Sequence, residues 1–94
     1  MEIIQTNRFK KAYNKLHQNQ LAAVNKAIET VIGNPDVGEQ KKGSLSWLRV
    51  YKFKVLGQLV LLGYNVEKNG KTVLTLVSIG PHENFYRDIK GTKP

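Results

Sequence analysis

Apolar residues recur with a helical period through the first third of the chain and with a strand period through its second half. Ile3 and Ile4, ahead of the polar run from Gln5 to Arg8, predict a short opening strand. Thr6 or Asn7 then caps a helix, because either side-chain oxygen accepts from a first-turn amide that has no partner inside the helix. Phe9, Ala12, Tyr13 and Leu16 fall at i, i+3, i+4 and i+7 and share one face. The period lapses at His17-Gln18-Asn19. A second helix follows, with Leu21, Val24, Ile28, Val31 and Ile32 as its stripe. Gly33, able to take the left-handed conformation, and Pro35, unable to continue a helix, end it.

Residues 36–46 are polar and contain glycine, which predicts a loop carrying Lys41 and Lys42. Three β-rich runs come next, at 47–55, 59–66 and 72–79. They are separated by Gly57-Gln58 and by Lys68-Asn69-Gly70-Lys71, and Asn-Gly is a strong hairpin signal. Such connections are too short for parallel crossovers, so the three runs form an antiparallel meander. Residues 81–90 open with proline and place Phe85, Tyr86 and Ile89 at helical spacing. The expected fold is α+β in the order β-α-α-β-β-β-α, an antiparallel sheet with an N-terminal helical hairpin packed on it and a short C-terminal helix.

Length and composition narrow the possibilities. Ninety-four residues, 40% of them hydrophobic, make one domain (residues 1–94) with its own core. No apolar run reaches the length of a membrane span, and MEIIQTNRF lacks the order of a secretory signal. The chain has no cysteine, which excludes disulfides and thiolate chemistry and fits a cytoplasmic setting. Fifteen Lys and Arg against seven Asp and Glu leave a formal charge of +8, which points to a polyanion or an acidic partner. One acid-free group is Lys41, Lys42, Arg49, Lys52 and Lys54; another is Arg8, Lys10, Lys11, Lys15 and Lys26 on the helical hairpin.

Within Tyr51-Lys52-Phe53-Lys54-Val55, alternation sends Tyr51, Phe53 and Val55 to the core side and the two lysines to the open face, roughly 7 Å apart. Fixed cations at that spacing suit phosphate oxygens; a merely solvated strand face is the alternative. The segment Gly80-Pro81-His82-Glu83-Asn84-Phe85-Tyr86-Arg87 gathers an imidazole, a carboxylate, two aromatics and a guanidinium where a strand becomes a helix. His82 and Tyr86 are i, i+4 on one helical face. His82 is either a proton donor or a surface residue at the helix start. Of Phe85 and Tyr86, one packs on the core and the other is free to stack on a base. Glu83 is a general base or a first-turn acid favoured by the helix dipole. His17 and His82 lie on distant segments without an acidic cluster, so no metal site is expected, and the glycines form no phosphate-binding loop.

The order of elements resembles the RelE/ParE superfamily of bacterial type II toxin–antitoxin toxins. So do Asn34-Pro35, the basic strand Tyr51-Lys52-Phe53-Lys54, the strand Leu62-Gly63-Tyr64-Asn65-Val66 and the closing Gly80-Pro81-His82-Glu83-Asn84-Phe85-Tyr86-Arg87-Asp88. The resemblance spans essentially the whole chain. It implies a microbial ribonuclease-type fold and, in RelE-type members, metal-independent cleavage of mRNA in the ribosomal A site. ParE-type members instead poison DNA gyrase and lack the catalytic set. A cognate antitoxin neutralises both, and operator DNA is met only through the antitoxin complex; no cofactor and no membrane are implied. Carried over by position, Lys52 and Lys54 match the strand lysines that contact the scissile phosphate, His82 the post-strand acid, and Tyr86 or Phe85 the aromatic that stacks on a base. Lys41, Lys42, Arg49 and Arg87 complete the implied RNA-binding surface. The family's next strand commonly carries an active-face arginine; here Leu61 is near that place, and Arg49 or Arg87 is left to supply the charge.

Overall fold

A computed structural model describes residues 1–89. Its elements run β1 (Glu2–Gln5), α1 (Asn7–Asn14), α2 (Gln18–Gly33), β2 (Glu39–Gln40), β3 (Arg49–Val55), β4 (Gln58–Asn69), β5 (Lys71–Pro81) and α3 (His82–Ile89), with one 3-10 turn at Gly43–Leu45. The segment 91–94, which the sequence assigns no role, lies outside the described residues. The meander β3-β4-β5 forms as expected, and the sheet order is β1-β5-β4-β3-β2. Two short strands extend it. β1 pairs parallel with β5, so the sheet is mixed, and β2 lies inside the segment read as a loop. A two-residue strand carries no period of its own, and the direction of β1 follows from the path of the chain around the helical hairpin.

Thr6 anchors the start of α1. Its hydroxyl accepts from the Phe9 amide (3.1 Å) and donates to the Val77 carbonyl (2.7 Å). Val77 is the extra residue of a bulge in β5, skipped where the register passes from Gly63 to Tyr64. α2 ends at Gly33, which keeps a negative φ in place of the expected left-handed turn. Pro35 supplies the reason, since it drives the preceding Asn34 into an extended conformation (φ −149°, ψ 86°).

Both faces of the sheet are covered. Phe9, Val24 and Val31 of the hairpin pack on Val55, Val60, Leu62, Tyr64, Leu74, Leu76 and Ile79. On the reverse face, Phe85 and Ile89 of α3 pack on Leu48, Val50, Leu61 and Val77. Double coverage explains why β4 reads as a continuous apolar run, and it half-closes the face expected to be open. Gly63 lets α3 settle there, because a Cβ at that position would stand 2.7 Å from the Phe85 ring.

Tyr64 is fully buried and ties the post-helix loop to the sheet. Its hydroxyl donates to the Pro35 carbonyl and accepts from the Gly38 amide, both at 2.8 Å. Burial pushes this phenol above its ordinary range, so it stays protonated. Tyr64→Phe is expected to cost about 1–3 kcal/mol, because it strands a buried amide, and to lower the denaturant midpoint without changing the slope. The β3–β4 turn offers the opposite sign. Leu56 (φ 52°) and Gly57 (φ 80°) are both left-handed, and Leu56 is 71% exposed. Leu56→Gly is expected to stabilise by up to about 1 kcal/mol, read as a raised Tm.

Candidate active site

Lys52 and Lys54 project from β3 on the face opposite Tyr51, Phe53 and Val55, and both are exposed. This is the face that α3 covers, since Val50, one pleat earlier, packs with Phe85 and Ile89. Lys52 pairs directly with Leu61, and Leu61 with Gly80, two residues ahead of His82. Directly paired residues share a face, so this row crosses the sheet from the lysine to the foot of α3, roughly 10 Å at ordinary strand spacing.

α3 starts where β5 stops. Its apolar residues Phe85 and Ile89 turn inward, which leaves His82 exposed and Tyr86 half-exposed one turn apart. The His82 and Tyr86 rings meet edge-on, 5.9 Å between centroids at 79°. Tyr86 is held from behind by Phe85 (5.2 Å, 85°). From the β2 side, Lys41 Nζ lies 5.3 Å from the Tyr86 centroid and 2.8 Å from Glu39 Oε1. The Glu39 carboxylate first, and then the Tyr86 hydroxyl, hold the Lys41 ammonium above its ordinary pKa. Lys41 in turn, with a smaller contribution from Lys52, holds Glu39 below the usual carboxylate range. Glu39, Lys41, Tyr86 and His82 thus form a connected polar strip beside α3, and the Lys52 charge bears on its Glu39 end.

Several candidates stand elsewhere than their sequence positions implied. Arg49 sits on the helix-hairpin face, paired with Tyr64. Its guanidinium donates to the Gly38 (2.6 Å) and Asp36 (3.2 Å) carbonyls, and Asp36 Oδ1 lies 3.6 Å away. It therefore pins the 36–38 loop and does not supply charge beside Lys52. Phe85 is 3% exposed and has no ring face left for a base, whereas the Tyr86 ring is half-exposed. Leu61 is fully buried under α3, which makes the middle of the row apolar. Lys41 is engaged with Tyr86 and Glu39, while Lys42 is exposed at the 3-10 turn and Arg87 is exposed on α3. Glu83 is exposed in the first turn of α3, where its charge favours the helix dipole. The contact sequence reasoning missed is Glu39, which carries no local signal because its partners are set by the β2–β3 register.

A second basic surface adjoins the strip. A cleft of about 720 Å³ lies between α1 and the end of β5, with Arg8, Lys11 and Lys15 on one side and Ser78, Gly80 and Pro81 on the other. Among the described residues, no acidic one lines it. Among the described residues, no group of three or more His, Asp or Glu is placed to hold a metal ion, and no helix is long and apolar enough to cross a membrane.

Comparison with known proteins agrees with this architecture. A family model described as the ParE-like toxin of type II bacterial toxin–antitoxin systems matches residues 3–90. Among solved structures, a double arginine-to-alanine mutant of E. coli toxin RelE in the free state is similar with a TM-score of 0.70 at 19% identity, over 95% of this chain and 90% of that one. RelE in the intact E. coli RelBE toxin–antitoxin complex is similar with a TM-score of 0.68 at 22% identity, over 87% and 96% of the two chains. The same mutant bound to a peptide of the antitoxin RelB gives a TM-score of 0.65 at 20% identity, over 98% and 97%. At these identities the likeness is one of fold. No curated protein matches the chain.

Proposed function

The chain belongs to the ParE-like toxins of type II bacterial toxin–antitoxin systems, and from that premise we propose that it is a metal-independent endoribonuclease that cleaves mRNA on the ribosome. The observation that carries this reading is that Lys52 and Lys54 leave β3 on the face that α3 covers, where Lys41 joins Glu39 to the His82–Tyr86 pair and Lys52 bears on Glu39. The ribose 2′-OH attacks the adjacent phosphorus, the P–O5′ bond breaks, and the products carry a 2′,3′-cyclic phosphate and a free 5′-OH. Lys52 and Lys54 hold the extra negative charge of the pentacoordinate state. His82 protonates the leaving 5′-oxygen. Tyr86 stacks on a base or orients the groups that move the 2′-proton. Lys42 and Arg87 contact flanking phosphates, and the Arg8–Lys11–Lys15 cleft extends the cationic track.

The partner that restrains this activity is a cognate antitoxin, as for the RelE relatives solved with RelB. Operator DNA is met through that complex, and the setting is cytoplasmic. One observation favours a second reading. Leu61, buried where the superfamily's nucleases commonly carry an arginine, fits a non-catalytic gyrase inhibitor. Expressing the chain without an antitoxin separates the two. The nuclease yields transcripts with new 5′-OH ends before growth stops. The gyrase inhibitor yields DNA damage and filamentation with messages intact.

A further inference from the structure

β1 stops pairing with β5 at Leu76, while β5 runs on to Pro81 with no described strand beyond it. Lys11 and Lys15 of α1, with Leu16 and Gln20 after them, share one cleft with Ser78, Ile79 and Pro81 there. The ladder fixes which main-chain groups face it. The two-residue turn at Leu56-Gly57 makes Val55 and Gln58 the first hydrogen-bonded pair, so Val60 and Leu62 bond to β3 while Leu61 and Gly63 bond to β5. Their partners Gly80 and Ser78 direct their main chain at β4, and Ile79 and Pro81 direct theirs outward. Proline fits that position because it has no N–H to give a ladder. The Ile79 amide is left as a donor in the cleft wall. Beside it, Ser78 is 7% exposed, and its hydroxyl has no hydrogen-bond partner among the described residues. No buried side-chain oxygen among the described residues is sealed off without a partner, so the Ser78 hydroxyl opens into the cleft it lines.

The polar groups that meet in this cleft are mostly donors. Lys11 and Lys15 stand one turn apart on α1, both exposed. Gln20 spends its amide oxygen on the His17 N–H (2.8 Å) and keeps its NH₂ to donate. Ala12, Leu16 and Pro81 supply apolar surface between them. The volume of about 720 Å³ lies within the roughly 300–1,000 Å³ of small-ligand sites. A phosphate offers acceptors, and a nucleobase offers a flat apolar face with acceptors on its edge. We propose that the α1–β5 cleft is a nucleotide-binding site. One ribonucleotide sets its phosphate on Lys11, Lys15, the Ser78 hydroxyl and the Ile79 amide, and its base on Leu16 and Pro81 beside Gln20. An acidic peptide would bring a row of its own amide donors to a wall already made of donors. The site stands on this geometry alone. That its nucleotide belongs to the RNA strand cut beside Lys52 and Lys54 rests on the nuclease reading above.

The test follows the amides of the isotope-labelled full chain by NMR during titration with adenosine 5′-monophosphate. The Lys15, Ser78 and Ile79 amides are expected to shift and to saturate at roughly millimolar nucleotide. Ribose 5-phosphate and adenosine, each lacking one half of the ligand, are expected to bind at least about tenfold more weakly. Lys15→Ala and Ser78→Ala are each expected to weaken nucleotide binding about tenfold. Lys15 is exposed, so its variant keeps the fold even where loss of the Ser78 hydroxyl disturbs β5. The proposal is overturned if inorganic phosphate gives the same shifts at the same concentration, or if shifts are confined to Lys52, Lys54 and Tyr86. Lys15→Ala binding as tightly as the unaltered chain overturns it as well. So does silence at roughly 10 mM nucleotide, or a capped polyglutamate peptide that fills the cleft more tightly than the nucleotide. Because no outcome involves cleavage, failure here leaves the nuclease reading standing, and the reverse holds.

Discussion

Phe85→Ala is expected to cost about 3–5 kcal/mol, the usual penalty for emptying a buried phenylalanine site. Phe85 is the larger of the described α3 side chains buried against the sheet, with Ile89 beside it and Tyr86 packed on partly buried. Small domains hold only about 5–15 kcal/mol in total, so the variant stands near the limit of folding and its Tm falls by tens of degrees. Phe85→Leu keeps most of the volume and is expected to cost about half as much. The loss also has a location. With α3 loosened while Phe9, Val24 and Val31 still clamp the opposite face, amide exchange rises first in α3 and only later in β4 and β5. Gly63→Ala checks the same contact from below. Its methyl would press on Phe85 at 2.7 Å and Leu48 at 3.2 Å, for an expected cost of about 1–3 kcal/mol. Equal exchange rates across α3 and the sheet in Phe85→Ala would mean that the helix is held by something other than this contact.

That helix marks the boundary of what the residues announce locally. The face of Lys52 and Lys54 follows from strand alternation, and the Thr6 cap and the three-strand meander follow from adjacent residues, so each was legible in the sequence. The covering of the lysine face was not, because whether α3 folds back over β4 depends on there being no side chain at Gly63, on another strand. A signal did exist, since a lone glycine inside the apolar run Leu61-Leu62-Gly63-Tyr64 indicates a bulge or a close approach. Arg49 illustrates the opposite failure. Grouped by sequence with Lys52 and Lys54, it lies an odd number of residues from both, and strand parity alone sends it to the other face, where Gly38 and Asp36 receive it. The Glu39–Lys41–Tyr86 contact joins three segments and becomes visible only once β2 and α3 are in place.

Lys54→Ala and His82→Ala are each expected to slow RNA cleavage by about 10²–10³-fold, the effect of removing one charge-stabilising donor or one positioned proton donor. Both side chains are exposed, so neither change should move stability by more than about 0.5 kcal/mol, which separates loss of chemistry from loss of fold. If the two groups grip one phosphodiester, their effects do not multiply, and the double variant falls well short of the product of the single losses. Tyr86→Phe keeps the ring against His82 and removes the hydroxyl beside Lys41. Tyr86→Leu removes both the stacking face and the contact with Lys41, so a base-stacking role predicts a larger loss for leucine than for phenylalanine. The rate of appearance of 5′-OH ends measures each effect, with growth arrest scored in parallel. A folded Lys54→Ala/His82→Ala chain that still arrests growth at full strength would take this face out of the toxic reaction. The gyrase reading would then be left, with the buried Leu61 as its structural correlate.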